Sequence, residues 1–108
     1  MINRRRSTRY AIVVTAEVTE ASSGKKLTGR TSDVSRTGGF VDSLDPLPEG
    51  SEVRIVLTRG NERFESLAKV VYSVPRLGMG ISFELPGDDQ LAILESWFEQ
   101  TTLSKALT

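Results

Sequence analysis

Four arginines crowd the first ten residues of the chain, in the stretch RRRSTRY at 4–10. Arginine presents a planar fork of donors that can bind two phosphate oxygens at once, or O6 and N7 of a guanine base. Arg5 and Arg9 are four residues apart and are flanked by Arg4 and Arg6, so the stretch could wrap an anionic ligand. On spacing alone, a solvated basic tail is the commoner explanation of such a run.

A second polar stretch, DVSRTGGF at 33–40, also has the residue types of a ligand site. Asp33 and Ser35 alternate on an extended segment, so their side chains are predicted to point the same way. A carboxylate can accept two parallel hydrogen bonds from N1 and N2 of guanine. Gly38 and Gly39 would let the backbone approach a base or a phosphate, because they have no Cβ. An ordinary turn leading into the next strand is the alternative.

The composition argues against several other kinds of site. The chain has no cysteine and no histidine, which removes thiolate zinc sites, disulfides and the usual nucleophile systems built on histidine. No dense Asp/Glu cluster suggests a metal. We therefore expect neither an enzyme nor a metal cofactor. The 14 basic and 14 acidic side chains cancel, which disfavours the broad basic face that binds a nucleic acid polymer. A polyanion binder using the arginine tail remains the rival hypothesis.

Apolar residues alternate with polar ones along most of the chain, and this period of two predicts short strands. The predicted strands are Tyr10–Thr19, Leu27–Val34, Phe40–Ser43, Ser51–Thr58, Phe64–Val74 and the stretch MGISFEL at 79–85. Six antiparallel strands with regular turns favour a closed barrel, which leaves no exposed sheet edge. We predict a mainly all-β fold with this barrel at 10–85, after a basic tail at 1–9.

The period changes near Pro86, and residues 88–102 are predicted to form an amphipathic C-terminal α-helix. Two acidic residues open it, where the helix dipole favours negative charge. Leu91, Leu94 and Phe98 share one face. Trp97 lies close to that face, and it is expected to pack on the barrel rather than to bind a partner. Residues 104–108 are expected to fray.

The whole chain, 1–108, is predicted to be a single cytoplasmic domain. No segment approaches the roughly 20 apolar residues of a membrane-spanning helix, so no membrane insertion is expected. The apolar run after the arginines lacks a signal-peptide cleavage site. Because only three residues precede Arg4, no attached enzymatic or regulatory domain is expected.

Taken together, the two polar motifs are much more specific than either alone. The pattern Arg-x-x-x-Arg at Arg5 and Arg9, with Asp-x-Ser-x-x-Gly at Asp33, Ser35 and Gly38, resembles the PilZ family of cyclic di-GMP receptors. The resemblance implies a cyclic dinucleotide ligand with two phosphates and two guanines. It also implies that the arginines contact phosphates and Hoogsteen edges, and that the aspartate and serine contact the polar edge of guanine.

The resemblance continues through 39–53, 70–74, 78–83 and the closing helix, so it covers nearly the whole chain. PilZ domains have a six-stranded antiparallel barrel with a C-terminal helix, the same fold that the periodicity predicts. An arginine at the position of Arg4 tends in this family to accompany a stacked pair of ligands. Many relatives have a guanine-stacking tryptophan where Tyr72 stands, although a role in the barrel is about as well supported for this tyrosine.

The resemblance implies a receptor whose output passes through a partner protein or a change in self-association. A PilZ-like domain that no longer binds ligand and acts only as a protein adaptor is the remaining alternative, and the complete motifs count against it.

Overall fold

In the computed structural model, which describes residues 8–107 and the side chains of residues 8–103, the chain forms a closed antiparallel barrel followed by an α-helix. The elements are β1 (Thr15–Glu20), β2 (Lys26–Val34), β3 (Gly38–Asp42), β4 (Glu52–Arg59), β5 (Glu62–Val74), β6 (Gly78–Phe83) and α1 (Asp88–Leu107). The strands follow the order β1-β2-β3-β6-β5-β4, and β4 pairs with β1 to close the barrel. The predicted fold is confirmed.

The inward-facing side chains of the strands form one continuous apolar core. Ile12, Val14, Ala16 and Val18, which alternate in the sequence, are all buried. Large residues such as Phe64 fill the interior from the other strands. The alternation that predicted the strands is therefore also what builds the core.

Helix α1 packs on the barrel through its apolar face. Leu94 and Trp97 are completely buried and Phe98 nearly so, and Trp97 Nε1 donates a hydrogen bond to Glu62 Oε1 at 2.8 Å. Trp97 thus has the core role expected of it. The helix continues to Leu107, beyond the predicted end at residue 102. Within residues 8–107, no helix has the length and apolar character needed to cross a membrane.

The first strand is shorter than predicted, beginning at Thr15 rather than at Tyr10. Just before it, Ile12 N donates to Tyr10 O at 2.8 Å, which is a tight local turn and not a ladder bond. The buried hydroxyl of Thr31 then accepts from Val14 N at 3.0 Å and donates to Ile12 O at 2.6 Å. The Thr31 side chain therefore takes the place of backbone hydrogen bonds to Val14 N and Ile12 O. Ile12 and Val14 are nevertheless buried, as their alternation predicts.

The third strand begins at Gly38 rather than at Phe40, so Gly38 and Gly39, which were predicted to precede the strand, lie inside β3. A Cβ on Gly38 would overlap the carbonyl oxygen of Ile81, and one on Gly39 would lie 2.6 Å from Asp33 O. Glycine is needed at both positions because the neighbouring strands approach too closely for a side chain.

Candidate ligand-binding site

The two polar motifs are joined by a short bridge between the N-terminal segment and the end of β2. Tyr10 N donates to Val34 O at 2.8 Å, and Val34 N donates to Tyr10 O at 2.9 Å. This pairing places Arg9 beside the second motif, with its Nη1 3.5 Å from Asp33 Oδ1. The Arg9 side chain is 66% exposed and that of Asp33 is 29% exposed. Two residues predicted to bind the same ligand are thus adjacent, with the charges of both accessible.

A cavity of about 310 Å³ lies on the outer wall of the barrel beside this ion pair. Five of the sequence-predicted site residues line it: Arg9, Asp33, Ser35, Gly38 and Gly39. Arg4 and Arg5, the other two arginines of the predicted site, lie outside the described residues. The structure therefore brings the second motif and the last arginine of the first motif to one place.

Ser35 lies just after β2 and holds the turn into β3. Its hydroxyl donates to Gly38 O at 3.3 Å and accepts from Thr37 N at 3.2 Å. Its backbone N also donates to Gly38 O, at 2.7 Å, and the residue is only 6% exposed. The turn role that the sequence left open is therefore present. Ser35 lines the cavity and also fixes the shape of the loop.

Several residues that sequence reasoning missed also line the cavity: Thr37, Val71, Gly80, Ile81 and Ser82. The exposed Thr37 lies inside the second motif, so its hydroxyl could have been included from the sequence. Ser82 adds a further hydroxyl from β6. Nothing in the sequence marks Val71, because its position depends on how β5 pairs with β6.

The family model of the PilZ domain matches residues 3–100 of the chain. The chain belongs to the PilZ family. The comparison with curated proteins finds no match.

Solved structures share the PilZ fold with this chain. The PilZ domain of YcgR from Escherichia coli, solved with c-di-GMP, is 19% identical, with a TM-score of 0.74 over 96% of this chain and 98% of that one. The PilZ domain of CeSA from a cellulose-synthesizing bacterium is 21% identical, with a TM-score of 0.68 over 87% of this chain and 98% of that one.

A third neighbour is longer than this chain. The inhibitor of motility MotI/DgrA from Bacillus subtilis is 20% identical, with a TM-score of 0.74 over 96% of this chain and 54% of that one. This chain therefore spans about half the length of the Bacillus subtilis protein. At such low identities the three likenesses show a shared fold.

Tyr72, the residue aligned by resemblance with a PilZ tryptophan, does not line the cavity. Its ring covers Gly80, where an added Cβ would lie 2.6 Å from Tyr72 Cζ. The ring also lies against Phe40, with 6.0 Å between centroids and 32° between planes. Tyr72 is still 42% exposed. In this structure it packs on the barrel wall, which is the alternative role that the sequence had left open.

A larger cavity of about 650 Å³ lies between the N-terminal segment and α1 of this PilZ domain. Its charged residues are Arg36, Glu95 and Glu99, and Arg36 pairs with Glu95. The excess carboxylate disfavours an anionic ligand, so size alone does not make this the phosphate site. The cavity instead marks where α1 meets both motif segments, since Tyr10 and Phe98 stack there at 4.3 Å.

No three His, Cys, Asp or Glu side chains come together in the described part of the chain in a way that could hold a metal ion.

Proposed function

We propose that this PilZ domain is a receptor for the bacterial second messenger cyclic di-GMP and passes the signal to a partner protein. The observation that carries the proposal is the cavity where Arg9 meets Asp33, Ser35 and the two glycines. Arg9 and Asp33 are 24 positions apart in the sequence, so the fold is what brings them together. The PilZ domain of YcgR, which shares the fold, was solved with c-di-GMP.

The chemistry of the cavity suits a guanine nucleotide better than a simple anion. An aspartate at the mouth of an anion site repels phosphate, but it can accept hydrogen bonds from the N1 and N2 donors of guanine. The Arg9 fork can bind a phosphate or the O6 and N7 acceptors of the base. In the free protein these two side chains face each other at 3.5 Å, so the ligand would exchange one weak exposed ion pair for contacts to both groups.

The arginines outside the described residues complete the proposed site. Arg5 supplies the second fork of the first motif and adds the charge that two phosphates require. Arg4 adds a further charge and a flat face, and we propose that it holds a second ligand stacked on the first. Saturation at two ligands per chain is the expected stoichiometry, and one ligand per chain would contradict the role of Arg4.

Two contacts connect the proposed site to helix α1. Arg36, within the second motif, forms an ion pair with Glu95 of α1. Tyr10, next to Arg9, stacks on Phe98 of the same helix with 7° between the ring planes. Movement of either motif on binding therefore acts on α1, which gives the receptor a route to an unidentified downstream protein. The proposal also places the protein in the cytoplasm.

The rivals are a polyanion binder and an adaptor that has lost its ligand. Titrating the protein calorimetrically with cyclic di-GMP, and separately with an oligonucleotide, at low and high salt distinguishes all three. A receptor binds cyclic di-GMP with micromolar or tighter affinity, about −8 kcal/mol, and binds the oligonucleotide weakly. Preference for the oligonucleotide with a steep loss in salt identifies a polyanion binder. If neither compound gives a heat of binding, the adaptor that has lost its ligand is the hypothesis that remains.

A further inference from the structure

The pairing of β5 with β6 shifts by one residue beside the cavity. Val70 lies opposite Ile81 and Tyr72 lies opposite Gly80, so Val71 is an extra residue with no partner on β6. Such a bulge bends the strand and changes the direction in which its side chains point. Regular alternation after the buried Val70 would face Val71 outward and Tyr72 inward, but both side chains are exposed, so the bulge places two consecutive residues on the outer surface.

Val71 is the residue that β5 contributes to the cavity. It is 43% exposed, whereas Val70 before it is completely buried. Ile81, the other aliphatic lining residue, is only 4% exposed. The rest of the lining is polar or glycine, so Val71 supplies its accessible apolar surface. Nucleotide pockets combine such a surface with a few polar groups that fix orientation.

The Tyr72 side chain packs outside the cavity. Its ring fills the space above Gly80 and contacts Phe40, and it is not part of the cavity lining. Because of the bulge, both neighbours lie on the outer surface of the barrel: Tyr72 covers the barrel wall, and Val71 lines the cavity that contains Asp33.

We propose that Val71 is the apolar contact for a guanine base of cyclic di-GMP, with the base edge directed at Asp33. This inference rests on the proposed function and adds to it a residue that determines how the base is oriented. A flat purine lying on the valine methyls can present N1 and N2 to the carboxylate without displacing Tyr72.

The first test compares two alanine substitutions on the same strand by calorimetry. Val71→Ala is expected to weaken binding of cyclic di-GMP by about three- to tenfold, because it removes apolar surface that the base would cover. Leu67→Ala is the matched control, since Leu67 is 55% exposed on β5 but does not line the cavity. It is expected to bind as the unaltered protein does. Equal affinities for the two variants would overturn the inference.

The second test observes the contact itself. In a spectrum of ¹³C-labelled valine methyls, those of Val71 are expected to shift on saturation with cyclic di-GMP and to show a nuclear Overhauser effect to guanine H8. The methyls of Val74, which is 38% exposed further along β5, are expected to stay unchanged. Calorimetric binding without a Val71 signal would overturn this inference and leave the proposed function intact. Absence of any binding would overturn both.

Discussion

Replacing Asp33 with alanine separates guanine recognition from charge attraction, because the two accounts predict opposite signs. Asp33 is 29% exposed and faces Arg9 at 3.5 Å. If its carboxylate accepts hydrogen bonds from guanine N1 and N2, its loss costs about 1.5–3 kcal/mol, or roughly ten- to more than a hundredfold in affinity. We expect this loss.

Charge attraction alone predicts a small gain instead. A carboxylate about 8 Å from one phosphate in a water-like medium repels it by about 0.5 kcal/mol, so removing it would tighten binding about twofold. Removal would also free the Arg9 fork for phosphate. The two outcomes differ by more than an order of magnitude and in direction, which is well outside the error of a titration.

The assay is calorimetric titration of the unaltered protein and of Asp33→Ala with cyclic di-GMP and with cyclic di-AMP. Adenine has no N1 proton and no N2 amine, so the unaltered protein is expected to reject cyclic di-AMP. Asp42→Ala is the matched control, because Asp42 is exposed on β3 and does not line the cavity. It removes the same charge and is expected to bind normally.

The fold must survive the substitution for the comparison to hold. The ion pair of Asp33 with Arg9 is exposed, and such pairs contribute about 0.2–1 kcal/mol. The melting temperature is therefore expected to fall by no more than about 4–8 °C. If Asp33→Ala binds cyclic di-GMP as well as the unaltered protein does, or the unaltered protein binds both dinucleotides equally, base recognition by Asp33 is refuted.

Three further substitutions test the site and its scaffold. Arg9→Ala is expected to weaken cyclic di-GMP binding about ten- to a hundredfold by calorimetry. The control Arg63→Ala should bind normally, because Arg63 is similarly exposed but does not line the cavity. Equal affinities of the two variants would contradict the role of Arg9. Gly38→Ala is expected to lower the free energy of unfolding in urea by about 1–3 kcal/mol, because the new Cβ overlaps a backbone carbonyl of β6; an unchanged stability would show that the strands can separate there. Thr31→Val is expected to cost about 1–3 kcal/mol in the same measurement, since it leaves the amide of Val14 without its hydroxyl partner, and a neutral result would mean that the segment before β1 rearranges.

The barrel could be predicted from the sequence because its signal is repeated in every strand. Ile12, Val14, Ala16 and Val18 face inward as their alternation requires. The same alternation could not locate the start of β1, since that depends on the hydroxyl of Thr31, 17 residues after Val14. Strand ends are set by contacts between distant segments, which a local pattern does not contain.

The candidate site was predictable to the extent that its residues belong to motifs. Asp33, Ser35 and the glycines could be named from one short stretch, and the structure places them in one cavity with Arg9. Val71 could not be named. Alternation in the run VVYSV at 70–74 faces Val71 outward but does not show which segments lie beside it. The same alternation would turn Tyr72 inward, and only the pairing with β6 reveals the bulge that keeps it outside.

The sequence also does not show why glycine is required at positions 38 and 39. Gly38 and Gly39 suit a loop that approaches a ligand, and both do line the cavity. Their α-carbons, however, also lie against backbone of the neighbouring strands. Residue type alone does not distinguish a glycine needed by a ligand from one needed by the barrel.

The central claim is that cyclic di-GMP binds in the cavity between Arg9 and Asp33, and a ¹⁵N-labelled protein titrated with cyclic di-GMP tests it most directly. The account predicts saturation at micromolar ligand, about −8 kcal/mol or stronger, with the largest amide shifts at Asp33, Gly39 and Ser82. Amide shifts confined to the cavity beside Glu99, or no shifts at about a hundred micromolar ligand, about −5.5 kcal/mol, would contradict it.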